Sequence, residues 1–227
     1  MPAMATWLVT GANRGIGLEL CRQIAARGDT VIGTARDPGA AAALRETGAR
    51  VEALDVTDPA SIDALGARLR GEPLDGLINN AGIGSFGGGV ADLTAEHLAR
   101  YFGVNASAPI LVVRALLPSL RAGAGKKIAH VTSLMGSIAD NGSGGAYGYR
   151  ASKAALNMLN ASLALELRRE GFTCLVLNPG WVKTDMGGPG APTLVDASVR
   201  GLLAVIDRSG PDVSGRFFNH DGRALPW

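Results

Sequence analysis

The sequence predicts an α/β fold: a doubly wound parallel sheet of about seven strands with helices on both faces. Two observations carry this. Short segments rich in Val, Ile and Leu alternate along the whole chain with longer stretches of helical periodicity; strands buried on both faces read as such continuous apolar runs. The alternation also proceeds without a linker, a composition shift or an internal repeat, which implies helical crossovers above and below one sheet. At 227 residues, 47% of them hydrophobic, the chain supplies one sizeable core and is short for two. A single domain over residues 1–227 is expected.

Strands are expected at residues 6–10, 30–35, 50–54, 74–79, 127–133, 173–178 and 215–219. Helices are expected at 16–27, 38–47, 59–70, 93–121 (as two helices), 148–169 and 194–208. Thr57-Asp58-Pro59 marks a helix start, because proline is tolerated in a first turn. Gly28, Gly48 and Gly171 each follow a helical pattern as C-terminal caps do.

Composition excludes several classes of function. The net charge is +2, with Lys and Arg dispersed, so there is no basic stripe for nucleic acid or a membrane surface. Cys21 and Cys174 stand far apart in apolar segments, which is neither a disulfide framework nor a metal spacing; they read as small core residues in a reducing compartment. His97, His130 and His220 have no partner at ligand spacing, and no metal is expected. The first strand reaches Gly11 too soon for a leader and cleavage site, and no apolar run reaches the ~18 residues of a membrane span. The expectation is a cytoplasmic protein.

A doubly wound sheet binds its ligands beyond the carboxyl ends of the strands, so the residues after each strand are the candidates for chemistry. After the first strand comes Thr10-Gly11-Ala12-Asn13-Arg14-Gly15-Ile16-Gly17, opening a helix. The glycines permit a tight turn, let backbone approach a pyrophosphate and let the helix pack on the strand, while the helix N-terminus offers free N–H groups. The plain alternative is an ordinary glycine-rich turn. The strand–turn–helix context at the very start of the chain favours a dinucleotide and a Rossmann-type sheet.

Residues 147–154, Tyr-Gly-Tyr-Arg-Ala-Ser-Lys-Ala, open a long helix. Tyr149 and Lys153, at i and i+4, share one face, and Tyr147 faces elsewhere. A phenol has a pKa near ~10. A nearby ammonium, with the charge of an oxidised nicotinamide, would lower it and let Tyr149 act as general acid in reduction and base in oxidation. Alone, such a pair is most often a surface feature. Together, Thr-Gly-x-x-x-Gly-x-Gly and Tyr-x-x-x-Lys resemble the short-chain dehydrogenase/reductase family, and the resemblance covers essentially the whole chain. Residues 11–20, the run Tyr149 to Asn157 and the closing Asp221-Gly222-Arg223-Ala224-Leu225-Pro226-Trp227 are most similar to the C-factor-like carbonyl reductases within it.

The resemblance implies roles for further residues. Gly11, Asn13, Arg14, Gly15, Ile16 and Gly17 would hold the cofactor. Ser133 would hydrogen-bond the reacting oxygen. Asn79-Asn80-Ala81-Gly82 would support the sheet beside the cofactor, with Asn80, Ala81 and Gly82 contacting it. Asn105 would complete a proton relay through water and the backbone of Lys153, which would itself hold the nicotinamide ribose. In Pro179-Gly180-Trp181-Val182-Lys183-Thr184, the Val182 backbone and the Thr184 hydroxyl would hold the nicotinamide amide. Asp55 and Val56 would lie beside the adenine. Two departures stand out. The segment from Ser133 to Tyr149 is slightly longer than usual, leaving Ser137 as a secondary alternative to Ser133. The segment from Met186 to Pro192 is short where many relatives have a lid.

NAD enzymes of this architecture place an acidic residue at the end of the second strand. Here Ala35 takes that place in Thr34-Ala35-Arg36. Arg36 and Arg14 offer guanidinium groups suited to a 2′-phosphate, so NADP(H) is expected in preference to NAD(H). The alternative is a surface pair between Arg36 and Asp37. The expected function is hydride transfer between nicotinamide and the carbonyl or alcohol carbon of a small molecule, through Ser133, Tyr149, Lys153 and Asn105. Phe86, Met135, Trp181 and Met186 are pocket-wall candidates, with core or lid roles equally open. A non-catalytic dinucleotide-binding sensor or signalling protein on the same fold is the rival; loss of Tyr149 or Lys153 would mark it, and both are present. Extended epimerase and dehydratase relatives carry a C-terminal substrate domain for which this chain is too short. The resemblance further implies a homodimer through the helices around 105–121 and 148–169.

Overall fold

The computed structural model describes residues 4–84 and 89–227. Its strands are β1 (Thr6–Val9), β2 (Thr30–Ala35), β3 (Arg50–Ala53), β4 (Gly76–Asn79), β5 (Lys127–Val131), β6 (Thr173–Asn178) and β7 (Phe217–Asn219). They form one sheet in the order β3-β2-β1-β4-β5-β6-β7, every neighbouring pair parallel. The helices are α1 (Gly15–Ala26), α2 (Ala42–Arg45), α3 (Pro59–Arg68), α4 (Ala95–Phe102), α5 (Ala108–Ala122), α6 (Tyr147–Leu167) and α7 (Val195–Arg208). This is the doubly wound α/β fold read from the sequence.

Alternate strand residues point to opposite faces, which gives the sheet two cores. Val9, Ile78, Ala129 and Leu177 pack with Leu20 and Ile24 of α1 and Val199 and Leu202 of α7. Leu8, Leu77, Ile128 and Cys174 pack with Ile62 of α3, Val112 and Leu116 of α5, and Leu167 of α6. From β1 the chain builds β2 and β3 on one side, then returns to lay β4 on the other. The turns after β1 and β4 therefore meet at the switch point, where an open α/β sheet has its ligand crevice.

Strands β4 and β7 each begin two residues later than expected, and three further differences have a local cause or bear on the site. The helix expected at 38–47 shortens to Ala42–Arg45, because the Asp37 carboxylate accepts from the Gly39 amide at 2.8 Å and holds a turn there. β5 ends at Val131, so Ser133 lies two residues past it and heads the 3-10 turn Leu134–Gly136. The stretch expected as two helices is a continuous run, Ala95–Ala122, of 28 residues, widened to a π turn at Gly103–Ser107 where Ala108 N–H reaches back to the Gly103 carbonyl. Pro109 has no N–H for the Asn105 carbonyl four residues earlier, which accounts for the local widening. By length and composition this run is apolar enough to cross a membrane, which a search for uninterrupted apolar residues overlooks; 56% of its most apolar window is buried inside the protein.

Candidate active site

The glycine loop is built by exclusion of side chains. Gly11 and Gly15 have φ of +63° and +54°, a region glycine enters without steric cost. A Cβ at Gly11 would stand 2.9 Å from Ala81 Cα, and one at Gly17 would strike the Gly11 carbonyl and lie 2.5 Å from Asn80 Nδ2. The turns after β1 and β4 are thus in contact, and hydrogen bonds stitch them. Thr10 Oγ1 accepts from the amides of Asn80 (3.0 Å) and Ala81 (3.1 Å), while Asn80 Nδ2 donates to the carbonyls of Thr10 (3.0 Å) and Gly11 (3.1 Å). No side chain caps the N-terminus of α1, which leaves its first-turn N–H groups for a ligand. This side-chain-free cradle at the start of a helix fits a pyrophosphate. Asn13 and Arg14 are exposed at its rim. Arg14 pairs with Asp185 at 3.2 Å, both well exposed, so the pair adds little stability.

Opposite the cradle, α6 presents Tyr149 and Lys153, both buried. Lys153 Nζ donates to the Val131 carbonyl at 2.9 Å and stands 5.9 Å from the centre of the Tyr149 ring. Burial lowers the Lys153 pKa to about 8. Tyr149 is hydrogen-bonded to the Ser133 side chain, whose Oγ also accepts from the Met135 amide at 3.1 Å. Ser137 instead donates to the Trp227 backbone oxygen at 3.0 Å, and Tyr147 is exposed. Ser133, Tyr149 and Lys153 are therefore the members of the predicted set that converge. Without the nicotinamide charge that the sequence expectation invoked, burial governs the charge state of the phenol. The Tyr149 pKa is raised, chiefly by burial, with the neighbouring Tyr101 adding to it and the Ser133 bond opposing it. The Lys153 ammonium, turned to a carbonyl, does not offset this desolvation.

Asn105 sits in the π turn with its amide engaged at both ends. Oδ1 accepts from Ile83 N–H (2.9 Å), and Nδ2 donates to the Ile83 carbonyl and to Ser152 Oγ (3.0 Å each). Ser152 Oγ donates in turn to the Tyr149 carbonyl at 2.8 Å. A Cβ at Gly82 would lie 3.2 Å from Asn105 Oδ1 and 3.7 Å from Lys153 Nζ, so the segment after β4 reaches α6 as well as the cradle. The segment after β6 reaches the cradle from the other side. Pro179 and Gly180 lead to Val182, whose carbonyl accepts from Thr184 Oγ1 at 3.3 Å, and Thr184 Cγ2 lies 3.5 Å from the Cβ position of Gly15.

At the end of β2, Ala35 is buried and Arg36 exposed. The Asp55 carboxyl is held below its usual range, first by the Thr57 hydroxyl and amide, with the Arg36 charge contributing. Asp37 turns its carboxylate to the Gly39 and Ala40 amides, and among the described residues Arg36 forms no ion pair with it. Val56 packs at the edge of the second core. Of the pocket-wall candidates, Met135 packs on the cluster Tyr101–Ala146–Tyr149, Trp181 and Met186 are exposed, and Phe86 lies outside the described residues. A cavity of about 610 Å³ runs along the far side of α6, past Met158, Leu165 and Trp227; none of the predicted site residues lines it. The long segment before Tyr149 is tied to α6 by Arg150, which donates to the Gly144 carbonyl (3.1 Å) and Ser143 Oγ (2.8 Å).

Sequence reasoning missed three supports. The Thr10 hydroxyl joins the two turns, Ser152 links Asn105 to Tyr149, and Asn178 Oδ1 accepts from the Leu134 amide at 3.0 Å beside Ser133. Asn178 ends β6 immediately before Pro179, so its place at a strand end was a usable signal. Ser152 had only its i+3 spacing from Tyr149.

The family model described as short chain dehydrogenase matches residues 5–193. The chain is 52% identical over 155 residues to the C-signal of Myxococcus xanthus, covering 68% of this chain and 93% of that one. The solved carbonyl reductase Sniffer of D. melanogaster superposes with a TM-score of 0.94 at 32% identity, over 99% of this chain and 100% of that one. The NADPH-bound carbonyl reductase from chicken fatty liver superposes with a TM-score of 0.91 at 38% identity, over 99% of both chains.

Proposed function

The chain belongs to the short-chain dehydrogenase/reductase family, and from that premise we propose that it is an NADP(H)-dependent carbonyl reductase with Tyr149 as its acid–base group. The observation that carries this reading is the buried Tyr149, bonded to Ser133 and with its ring centre 5.9 Å from Lys153 Nζ, on the helix that the segment from the glycine cradle reaches at Gly82. The likeness to a carbonyl reductase named as NADPH-bound supports the choice of cofactor.

The cofactor, when bound, supplies the hydride. The glycine loop and the open N-terminus of α1 would hold its pyrophosphate, Arg36 its 2′-phosphate, and Val182 with Thr184 its amide. Tyr149, kept protonated by burial, donates its proton to the carbonyl oxygen. Ser133 hydrogen-bonds the same oxygen, and the Lys153 charge stabilises the phenolate left behind. Both ends of the Asn105 side-chain amide are engaged, which leaves its backbone carbonyl, for which Pro109 offers no N–H, to hold a water that would return the proton.

The test is a spectrophotometric screen of aldehydes, ketones and quinones with NADPH and with NADH. Oxidation of NADPH by some of them is expected. The second reading, a dinucleotide-binding signalling protein, has only the likeness to C-signal behind it; tight NADPH binding with no turnover across the panel would overturn the reductase reading in its favour.

A further inference from the structure

Three segments meet at the ring of Tyr149. A Cβ at Gly84, after β4, would stand 2.9 Å from Met186 Sδ, 3.4 Å from Met186 Cγ and 3.3 Å from Tyr149 Cε2. Gly84 thus brings the backbone against both the catalytic ring and a thioether from the segment after β6. Tyr101 meets that ring edge-on with centroids 6.5 Å apart, and Ala146, Ile83 and Met135 pack around the pair. Met186 is 44% exposed.

The backbone around Met186 is pinned. Gly187 N–H donates to Thr184 Oγ1 at 3.1 Å, Gly188 N–H to the Thr184 carbonyl at 2.8 Å, and Trp181 Nε1 to the Gly187 carbonyl at 2.7 Å. A Cβ at Gly187 would strike the Val182 carbonyl, so the chain is tight there too. What remains free to adjust is the Met186 side chain, unbranched, with three rotatable bonds and a polarizable sulfur.

We infer that Met186 determines substrate size: its thioether limits the group beside the carbonyl that can approach Tyr149, and residue 84 is glycine because a side chain there would displace that thioether. The inference rests on the carbonyl-reductase reading above. Small aldehydes pack against the thioether, whereas larger ones must turn it outward. Size differences of a methylene in an apolar pocket change selectivity by roughly 10–200-fold.

The experiment compares kcat/KM for butanal and 2-naphthaldehyde in wild type, Met186→Ala and Met186→Phe, with the NADPH Kd measured alongside. Met186→Ala should raise the naphthaldehyde-to-butanal ratio by about tenfold and Met186→Phe should lower it similarly, with the NADPH Kd unchanged. A second measurement needs no substrate: a double-mutant cycle of Gly84→Ala and Met186→Ala read as thermal midpoints. Gly84→Ala should lower the midpoint more when Met186 is present than when it is alanine; strict additivity overturns the contact. Turnover with unchanged ratios overturns the inference alone. A wild type that reduces no carbonyl compound overturns the reductase reading and the inference with it, even where the cycle shows coupling.

Discussion

Tyr149 and Lys153 are both taken out of water, and desolvation acts on each against its charged form. For Tyr149 this keeps the proton on the phenol, as the proposed role of donor requires. For Lys153 it brings loss of the ammonium to about pH 8. The kcat/KM for carbonyl reduction should therefore fall as pH rises through about 8, where Lys153 becomes neutral, while Tyr149, shifted upward, still holds its proton. A pH–rate profile on the free enzyme checks this, and a profile flat well past that point would show that the Lys153 charge is not required. Residue-level geometry also separates the two arginines proposed for the 2′-phosphate. Arg14 is paired with Asp185, whereas Arg36 stands by Asp55 at the position opened by Ala35. Arg36→Ala should cost about tenfold in NADPH affinity relative to NADH, and Arg14→Ala much less. Dissociation constants for both cofactors at two salt concentrations decide it; equal losses from the two variants would return Arg14 to the phosphate.

At the scale of elements, what was legible was what local pattern dictates. Short apolar segments located the strands, with the Val/Ile/Leu signal weak at β3 and absent at β7, and the glycine loop and the Tyr149/Lys153 spacing pointed to both walls of the candidate site. The rest depends on contacts between elements distant in sequence. The π turn arises from the missing N–H of Pro109, but its effect is felt at Ile83, where the Asn105 amide is clamped. The meeting of Gly84, Met186 and Tyr149 joins two loops and a helix that no periodicity relates. The raised pKa of Tyr149 follows from burial, which i,i+4 spacing to a lysine does not reveal. β5 carries another such case. His130 is fully buried; its Nδ1 lies 3.2 Å from Asn79 Nδ2 and its Nε2 has no partner among the described residues. Burial, with the Lys153 charge adding, lowers its pKa from 6.5 to about 3. Between those values the unfolded chain binds the proton and the folded one refuses it, so stability falls as pH drops through that window. Each unit of difference is worth ~1.4 kcal/mol, so the total is a few kcal/mol. The thermal midpoint of wild type should drop more steeply on acidification than that of His130→Gln. Parallel curves would assign the acid sensitivity to other groups.

For the whole molecule, the site belongs to no single element. It draws on the turns after β1, β2, β4, β5 and β6 and on the first turns of α6, all of which separate when the sheet unfolds. A cofactor held there binds the folded state alone and stabilises it by mass action, ~2.7 kcal/mol at a hundred times its Kd. For a domain of this size, 1 kcal/mol moves the midpoint by roughly 2–4 °C, so saturating NADPH should raise it by about 5–10 °C. NADH at the same concentration should raise it less, because Arg36 has no 2′-phosphate to meet. Tyr149→Phe removes the proton donor and leaves the cradle, Arg36 and Lys153 in place. That variant should keep the NADPH-induced shift while turnover falls by ~10²–10⁴-fold. Differential scanning fluorimetry beside the spectrophotometric assay reads both quantities on one preparation. A variant that loses the shift together with the activity would mean that the phenol organises the cofactor site rather than the chemistry. A variant that retains wild-type turnover would remove Tyr149 from the mechanism altogether.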